Sequence, residues 1–340
     1  MKKSFLIIVL LLLIVGGFLG YKYYNYISQP NVSVSKTDQL FIKEDSDFED
    51  VLAQLKSNEQ LLDEASFVWV ADKMKYNKVK PGQYILNEGQ SNRALVSMLR
   101  GGQQKAVKLT FNNARKIENL AATFGKILEP DSISFLNYFL KDSLLEANQL
   151  TPENIMTIFI PNTYQVYWNT GPAKIFEKLK RENKKFWNEK RMKLLNELEM
   201  TQQEAYILAS IVQKESNARS EKPTIAGLYI NRLKRGQLLQ ADPTVVFAVN
   251  DFTIRRVLNK HIAFESPFNT YLHEGLPPGP ICMPDVSSID AVLNYEKHKY
   301  LYMCASPDNS GKHAFAKTLV QHNANADKYR QWLNSRKIYR

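Results

Sequence analysis

Cysteine is scarce: Cys282 and Cys304 are the only two in 340 residues. Two thiols cannot build a disulfide framework, so the fold must rest on a hydrophobic core. One bridge or two buried thiols both remain open. Histidine is also rare, and its five copies show no metal-ligand spacing, so no metal centre is expected. Acidic residues are outnumbered, 34 against 45 Lys and Arg, which gives a formal net charge of +11. That excess suits an acidic polymer or an anionic membrane surface. No zinc-finger, ribonucleoprotein or helix-turn-helix signature accompanies it, so nucleic acid is not an expected partner. Alanine is absent before Ala53. The N-terminal apolar run therefore lacks the small-x-small site of a cleaved signal peptide.

What is present is ordinary for a globular protein of two or three domains: 44% hydrophobic and 23% charged residues. Lys2 and Lys3 precede an unbroken apolar run from Phe5 to Leu19, extended by Gly20 and Tyr21. This is close to the lower limit of about 17 residues for a membrane-spanning helix. Lys22 and four tyrosines, Tyr21, Tyr23, Tyr24 and Tyr26, follow like an interfacial belt. The reading is an uncleaved anchor over 1–25 with a short cytoplasmic N-terminus and the rest of the chain outside. Residues 26–37 read as a tether.

A small mixed module is expected over 38–110. Leu40-Phe-Ile42, Gln83-Tyr-Ile-Leu86 and Val107 to Phe111 read as strands. Ser46 and Glu49 fit a capping box, Ala65–Lys75 a second helix, and Ser91 to Arg100 a third that stops at Gly101-Gly102. The module is either a spacer or a glycan binder; composition does not separate them. Further on, Ile155 to Tyr167 is dense in aromatics, read as core in preference to a sugar-stacking groove. Ala173 to Glu199 reads as one long amphipathic helix.

The chemistry concentrates after residue 200. Thr201 and Glu204 form a Thr-x-x-Glu capping box, so a helix starts at Gln202. Positions 204, 208, 211 and 215 share one face. Leu208 and Ile211 make that face apolar and carry Glu215 toward the core. Burial disfavours a charged carboxyl and raises its pKa, which is what a general acid for a glycosidic oxygen needs. Pro223 opens a second helix that carries Asn231 and closes at Gly236. Gln240 then precedes Asp242-Pro243; Asp242 reads first as a helix cap, and Gln240 is placed to face a sugar hydroxyl. Ser266-Pro-Phe-Asn269-Thr-Tyr271 and the Pro/Gly run from Gly275 to Ile281 read as a rigid loop presenting Asn269 and Tyr271. Ser287 and Asp290 read as the cap of another helix. Tyr300–Met303 and His313–Ala316 read as a hairpin around Pro307 to Gly311. A last helix holds His322-Asn323 before a basic tail.

These motifs, in this order, resemble the endolytic peptidoglycan (murein) transglycosylases of the YceG-like family: Ala209-Ser-Ile-Val-x-Lys-Glu-Ser216, Ile230-Asn-Arg-Leu233, Leu239-Gln-x-Asp-Pro-Thr244, Ser266 to Tyr271, Gly275 to Ile281 and His322-Asn323. The resemblance implies an α+β protein: a transmembrane helix, a small LysM-like α/β module over 38–110 and a catalytic domain over 111–340. It implies Glu215 as catalytic residue, with Gln240, Asp242, Asn269 and Tyr271 binding substrate and no cofactor. It implies cleavage of the bond between N-acetylmuramic acid and N-acetylglucosamine to leave 1,6-anhydro ends, terminating nascent strands. The expected setting is the bacterial inner membrane, single-pass, with the catalytic domain outside and peptidoglycan synthases as neighbours. Three positions depart from the pattern. Gln213 stands where Glu is common, Asn162 where Asp is common, and Met283-Pro-Asp285 replaces an Asn-Pro-Gly turn. Two rivals stay open: a hydrolase pairing Glu215 with Asp242 or Glu265, and a membrane-anchored glycan-binding scaffold.

Overall fold

The computed structural model describes residues 2–308 and 310–336. Outside them lie Asn309 in the expected Pro307–Gly311 turn and the last four residues of the basic tail; nothing is described of the Lys2 and Lys3 side chains. The fold is α+β, mostly helical, with three two-stranded sheets among the described residues. It divides into two units. The first runs to Leu109 and also holds Ile127–Pro130 and Gln165–Gly171; the second holds the remainder.

In the first unit, α1 (Lys2–Ser28) contains Phe5–Ser28, long and apolar enough to cross a membrane by length and composition. Then follow β1 (Gln39–Ile42), α2 (Phe48–Ser57), α3 (Glu64–Lys73), β2 (Gly82–Ile85) and α4 (Asn92–Gly101). β1 and β2 pair antiparallel with Leu40 opposite Tyr84. Leu40, Ile42 and Tyr84 point inward against Val51, Leu55, Phe67, Leu95 and Leu99, as period-two strands and amphipathic helices require.

Two expectations change here. The capping box of α2 is Asp47 with Asp50, not Ser46 with Glu49, because two carboxylates one residue on accept each other's backbone N–H at 3.0 Å. The segment read as a tether is bound to the module. Val32 is fully buried, and the Asn31 amide donates to Asp63 O at 2.8 Å and to Asn92 Oδ1 at 2.7 Å. The end of α1 is fastened as well, since Tyr23 stacks on Trp69 with ring centroids 4.8 Å apart.

β3 (Ala106–Phe111) pairs with β4 (Asn162–Tyr167). Between them lie α5 (Ile117–Ile127), α6 (Ser132–Phe139), α7 (Asp142–Ala147) and a short 3-10 turn, Ile155–Ile158. Two of the three rings in the aromatic run are core, as expected: Phe159 is fully buried, and buried Tyr164 donates to Ile160 O at 2.7 Å, whereas Tyr167 is exposed. The long helix predicted over Ala173–Glu199 is two, α8 (Pro172–Phe186) and α9 (Glu189–Leu198). Trp187 turns into the core, and Asn188 restarts the helix by accepting from Arg191 N at 3.1 Å.

The second unit is built around α10 (Gln202–Glu215), followed by α11 (Lys222–Leu233), α12 (Asp242–Val249), α13 (Asn259–Ile262), α14 (Val286–Leu293), β5 (Tyr302–Ala305), β6 (His313–Ala316) and α15 (Leu319–Ser335). The predicted box forms, with Thr201 and Glu204 bonded reciprocally. Every residue from Ala205 to Val212 is buried, so α10 is a core helix surrounded by α11, α12 and α14, not an amphipathic surface helix. Gly227 lets α11 lie against the chain at Glu296, because a Cβ there would strike the Glu296 carbonyl. Asp290 does not cap α14; its carboxylate takes the Arg191 guanidinium at 3.0 Å.

Candidate active site

Glu215 is the last residue of α10, so its side chain leaves the core where the helix stops. It is partly buried and lies in the lining of two neighbouring cavities. The larger, about 410 Å³, is also lined by Tyr229, Arg232, Gln240, Asp242, Tyr271 and His322. Glu215 Oε1 accepts a hydrogen bond from the Tyr229 hydroxyl. Burial pushes the Glu215 carboxyl up to about 7; the Tyr229 bond opposes that, the Asp242 charge adds to it and Arg232 opposes it. A carboxyl poised there can give a proton and take one back near neutral pH.

Tyr229 and Arg232 stand three residues apart on α11, hence on one face. Arg232 acts as a pin: Nε donates to Leu301 O at 2.7 Å, and Nη1 to Leu238 O at 3.1 Å and Leu239 O at 2.8 Å. This holds the Leu239–Thr244 turn beside the helix that carries Tyr229. Arg232→Ala is expected to cost about 2 kcal/mol in chemical denaturation, because three carbonyls lose a charged donor. Arg232→Lys should not rescue it, since an ammonium lacks the guanidinium fork. A variant with unchanged stability would remove the pinning role.

Of the sequence-derived candidates, Gln240 and Asp242 are exposed on the cleft and Tyr271 half-buried. Gln240 sits at φ 50°, a left-handed conformation held by its N–H donating to Thr270 O at 3.0 Å. Asp242 is not a cap. It makes no cap bond, Ala241 stands at the N-cap, and Asp242 Oδ1 instead accepts the Tyr271 hydroxyl at 2.6 Å. Asn269 does not reach the cleft. It is fully buried; its amide donates to Ile262 O and Phe264 O at 2.8 Å each, and its Oδ1 accepts Tyr271 N at 3.0 Å. Its part is to fold the loop that carries Tyr271. Thr270 Oγ1 lies 2.8 Å from Thr244 Oγ1, locking that loop to the Asp242 turn. Glu265 faces His273 at 3.1 Å and lines neither cavity.

Gln213 also points elsewhere. Its Oε1 accepts from Lys222 Nζ at 2.9 Å and from Ser288 Oγ. Burial pushes the Lys222 ammonium down. Asn231 is structural, donating to His298 O and Tyr300 O. Ser216, just past Glu215, donates to Glu221 at 3.2 Å, and Glu221 also accepts from His313 N at 2.7 Å. That chain fixes the exit from α10. His322 stacks on Tyr302 in the cleft but does not bond Glu215; burial and then Arg232 push its pKa down. Both cysteines are free thiols, Cys282 buried and pushed up to about 12 by that burial.

Tyr229 was missed in the sequence, and Arg232 was noted there only as part of the Ile230–Leu233 motif, although the predicted helix already gave their three-residue spacing. Tyr229→Phe tests the electrostatics. The hydroxyl bond favours the ionised carboxyl, so its loss should raise the Glu215 pKa and move the alkaline limb of kcat/KM to higher pH. A limb that stays put or moves down would contradict this pairing.

Fold and site together define a class: a mixed α+β protein with an N-terminal apolar helix and a cleft built around one proton-holding carboxyl. Within it, the chain belongs to the YceG-like family, whose model matches residues 40–328. It is 28% identical over 335 residues to the endolytic murein transglycosylase of Bacillus subtilis (strain 168), covering 93% of this chain and 91% of that one. It is 24% identical over 353 residues to the endolytic murein transglycosylase of Streptococcus pneumoniae serotype 2, spanning 95% of this chain but only 64% of that longer protein. The crystal structure of a yceG-like protein from Listeria monocytogenes shares the fold, with a TM-score of 0.54 at 24% identity over 84% of this chain and 98% of that one.

Proposed function

We propose that this chain is a lytic transglycosylase that cuts peptidoglycan glycan strands internally, with Glu215 as the one acid and base. The observation that carries this reading is Glu215 itself: a carboxyl pushed up to about 7, bonded to Tyr229 and facing open cavities. The family and the names of its relatives support the substrate class. Protonated Glu215 donates to the glycosidic oxygen between N-acetylmuramic acid and N-acetylglucosamine, and the C1–O bond breaks. The C6 hydroxyl of the same muramic acid residue attacks C1 and gives its proton to the Glu215 carboxylate. The acid is restored, no water is consumed, and a 1,6-anhydro end forms. One carboxyl suffices, unlike the pair of ordinary glycosidases. Gln240, Asp242 and Tyr271 line the strand's path. Residues 38–110 serve as a LysM-like module and 111–340 as the catalytic domain. α1 stays as a single-pass anchor with the rest outside the cytoplasm, beside peptidoglycan synthases whose strands it terminates.

Asp242 gives one specific reason for a second reading. It is an exposed carboxylate that lines both cavities with Glu215, so it could activate water for hydrolysis. Digesting purified peptidoglycan with the full chain and weighing the new ends decides between them. Anhydro ends are expected. Reducing ends would replace the proposal with hydrolysis, and binding without cleavage would replace it with a scaffold.

A further inference from the structure

Glu215 and Asp242 also line a second cavity, of about 350 Å³, whose character differs from the first. Its apolar side comes from Val246 and Phe247 on α12 and from Phe252 just beyond it. The Phe247 and Phe252 rings are tilted at 56° with centroids 6.4 Å apart. Around this apolar surface stand three cations: Arg115, Lys214 and Arg255. The Arg115 guanidinium lies over the Phe252 ring at 4.1 Å. None of the three is paired with a carboxylate among the described residues. The backbone next to Arg115 is tied down, since Ala114 O accepts Met283 N at 2.7 Å.

Cations without a carboxylate partner, lining the same cavity as an apolar wall and Glu215, call for a particular ligand. An N-acetylglucosamine ring is neutral, and a muramic acid residue stripped of its peptide offers only its one lactyl carboxylate, too little for three positive charges. A short peptide with methyl groups and free carboxylates matches both surfaces, the wall by apolar burial and the rim by charge-assisted hydrogen bonds. In peptidoglycan such a peptide hangs from the lactyl group of N-acetylmuramic acid. We infer that this second cavity binds the carboxylate-bearing peptide stem of a muramic acid residue next to the bond that is cut. Arg255 and Arg115 then discriminate stem-bearing strands from bare ones, so the enzyme selects its cleavage positions by the stems as well as by the sugars. This inference rests on the function proposed above.

The test is equilibrium binding of stem-bearing strands and of strands stripped of stems by an amidase. The protein is the full chain carrying Glu215→Gln, which slows turnover so that binding can reach equilibrium. Stem-bearing strands should bind about tenfold tighter, as one charge-assisted bond warrants. Arg255→Glu should bring the ratio close to one, and Arg115→Glu should lower it. Arg255 is exposed and the readout is a ratio on a single preparation, so loss of folded protein cannot imitate the result. Equal affinity for the two strands would overturn the inference, as would a preference that survives both charge reversals. Failure of the transglycosylase reading looks different: the unmutated chain would leave no anhydro ends, whatever the binding ratio.

Discussion

Glu215→Gln should slow strand cleavage by about 10²–10⁴-fold, the range that a positioned general acid supplies. The amide is nearly the same size and keeps an oxygen to accept the Tyr229 hydroxyl, so the cleft should keep its shape. What it loses is the exchangeable proton, needed first at the glycosidic oxygen and then taken back from the C6 hydroxyl. Strand binding should persist, separating loss of chemistry from loss of fold. Asp242→Asn should cost far less, because that carboxylate is exposed and already accepts the Tyr271 hydroxyl. If Glu215→Gln retained more than a tenth of the rate while Asp242→Asn abolished it, the acid would be Asp242 and the proposed mechanism would fail.

The placement of Glu215 was legible in the sequence because local rules converge on it. A capping box fixes where α10 begins, and an apolar face fixes which way Glu215 points. What surrounds Glu215 was not legible. Tyr229 and Arg232 share a helix face, but only packing of α11 on α10 decides that this face meets the acid. Asp242 followed by proline looks like a cap at the level of the dipeptide. It is displaced because the Tyr271 hydroxyl, 29 residues away, competes for the carboxylate. Asn269 in a Pro-flanked loop looks like a presented ligand group, yet a loop that tight has buried carbonyls of its own to satisfy. The same reasoning explains the segment 26–37. Its polar composition suggests a tether, whereas Asn31 is polar because it bridges buried groups across the module. Local periodicity reads elements and their faces; side-chain partners distant in sequence are set by tertiary packing.

The elevated pKa of Glu215 has a second consequence, for stability. The folded state holds the carboxyl at about 7, against 4.5 for the unperturbed group. Below about pH 4.5 both folded and unfolded chains bind the proton and Glu215 carries no penalty. Between 4.5 and 7 the unfolded chain releases it while the folded chain keeps it. The unfolded state then binds fewer protons, so stability falls as pH rises. Above 7 the penalty is complete and amounts to about 3 kcal/mol for a shift of this size. The amide introduced by Glu215→Gln cannot ionise, so the variant that loses catalysis should gain stability. Its advantage over the unmutated chain should be near its minimum at about pH 4.5 and grow to about 3 kcal/mol by about pH 8, read from denaturant unfolding of the full chain at each pH. The rise should follow the alkaline limb of the unmutated enzyme's activity, because one titration governs both. Parallel stability curves would mean that Glu215 titrates as an exposed carboxyl, and the argument for it as an acid at neutral pH would fall with them. A widening gap would identify the acid as a site where stability is given up so that a proton can be held.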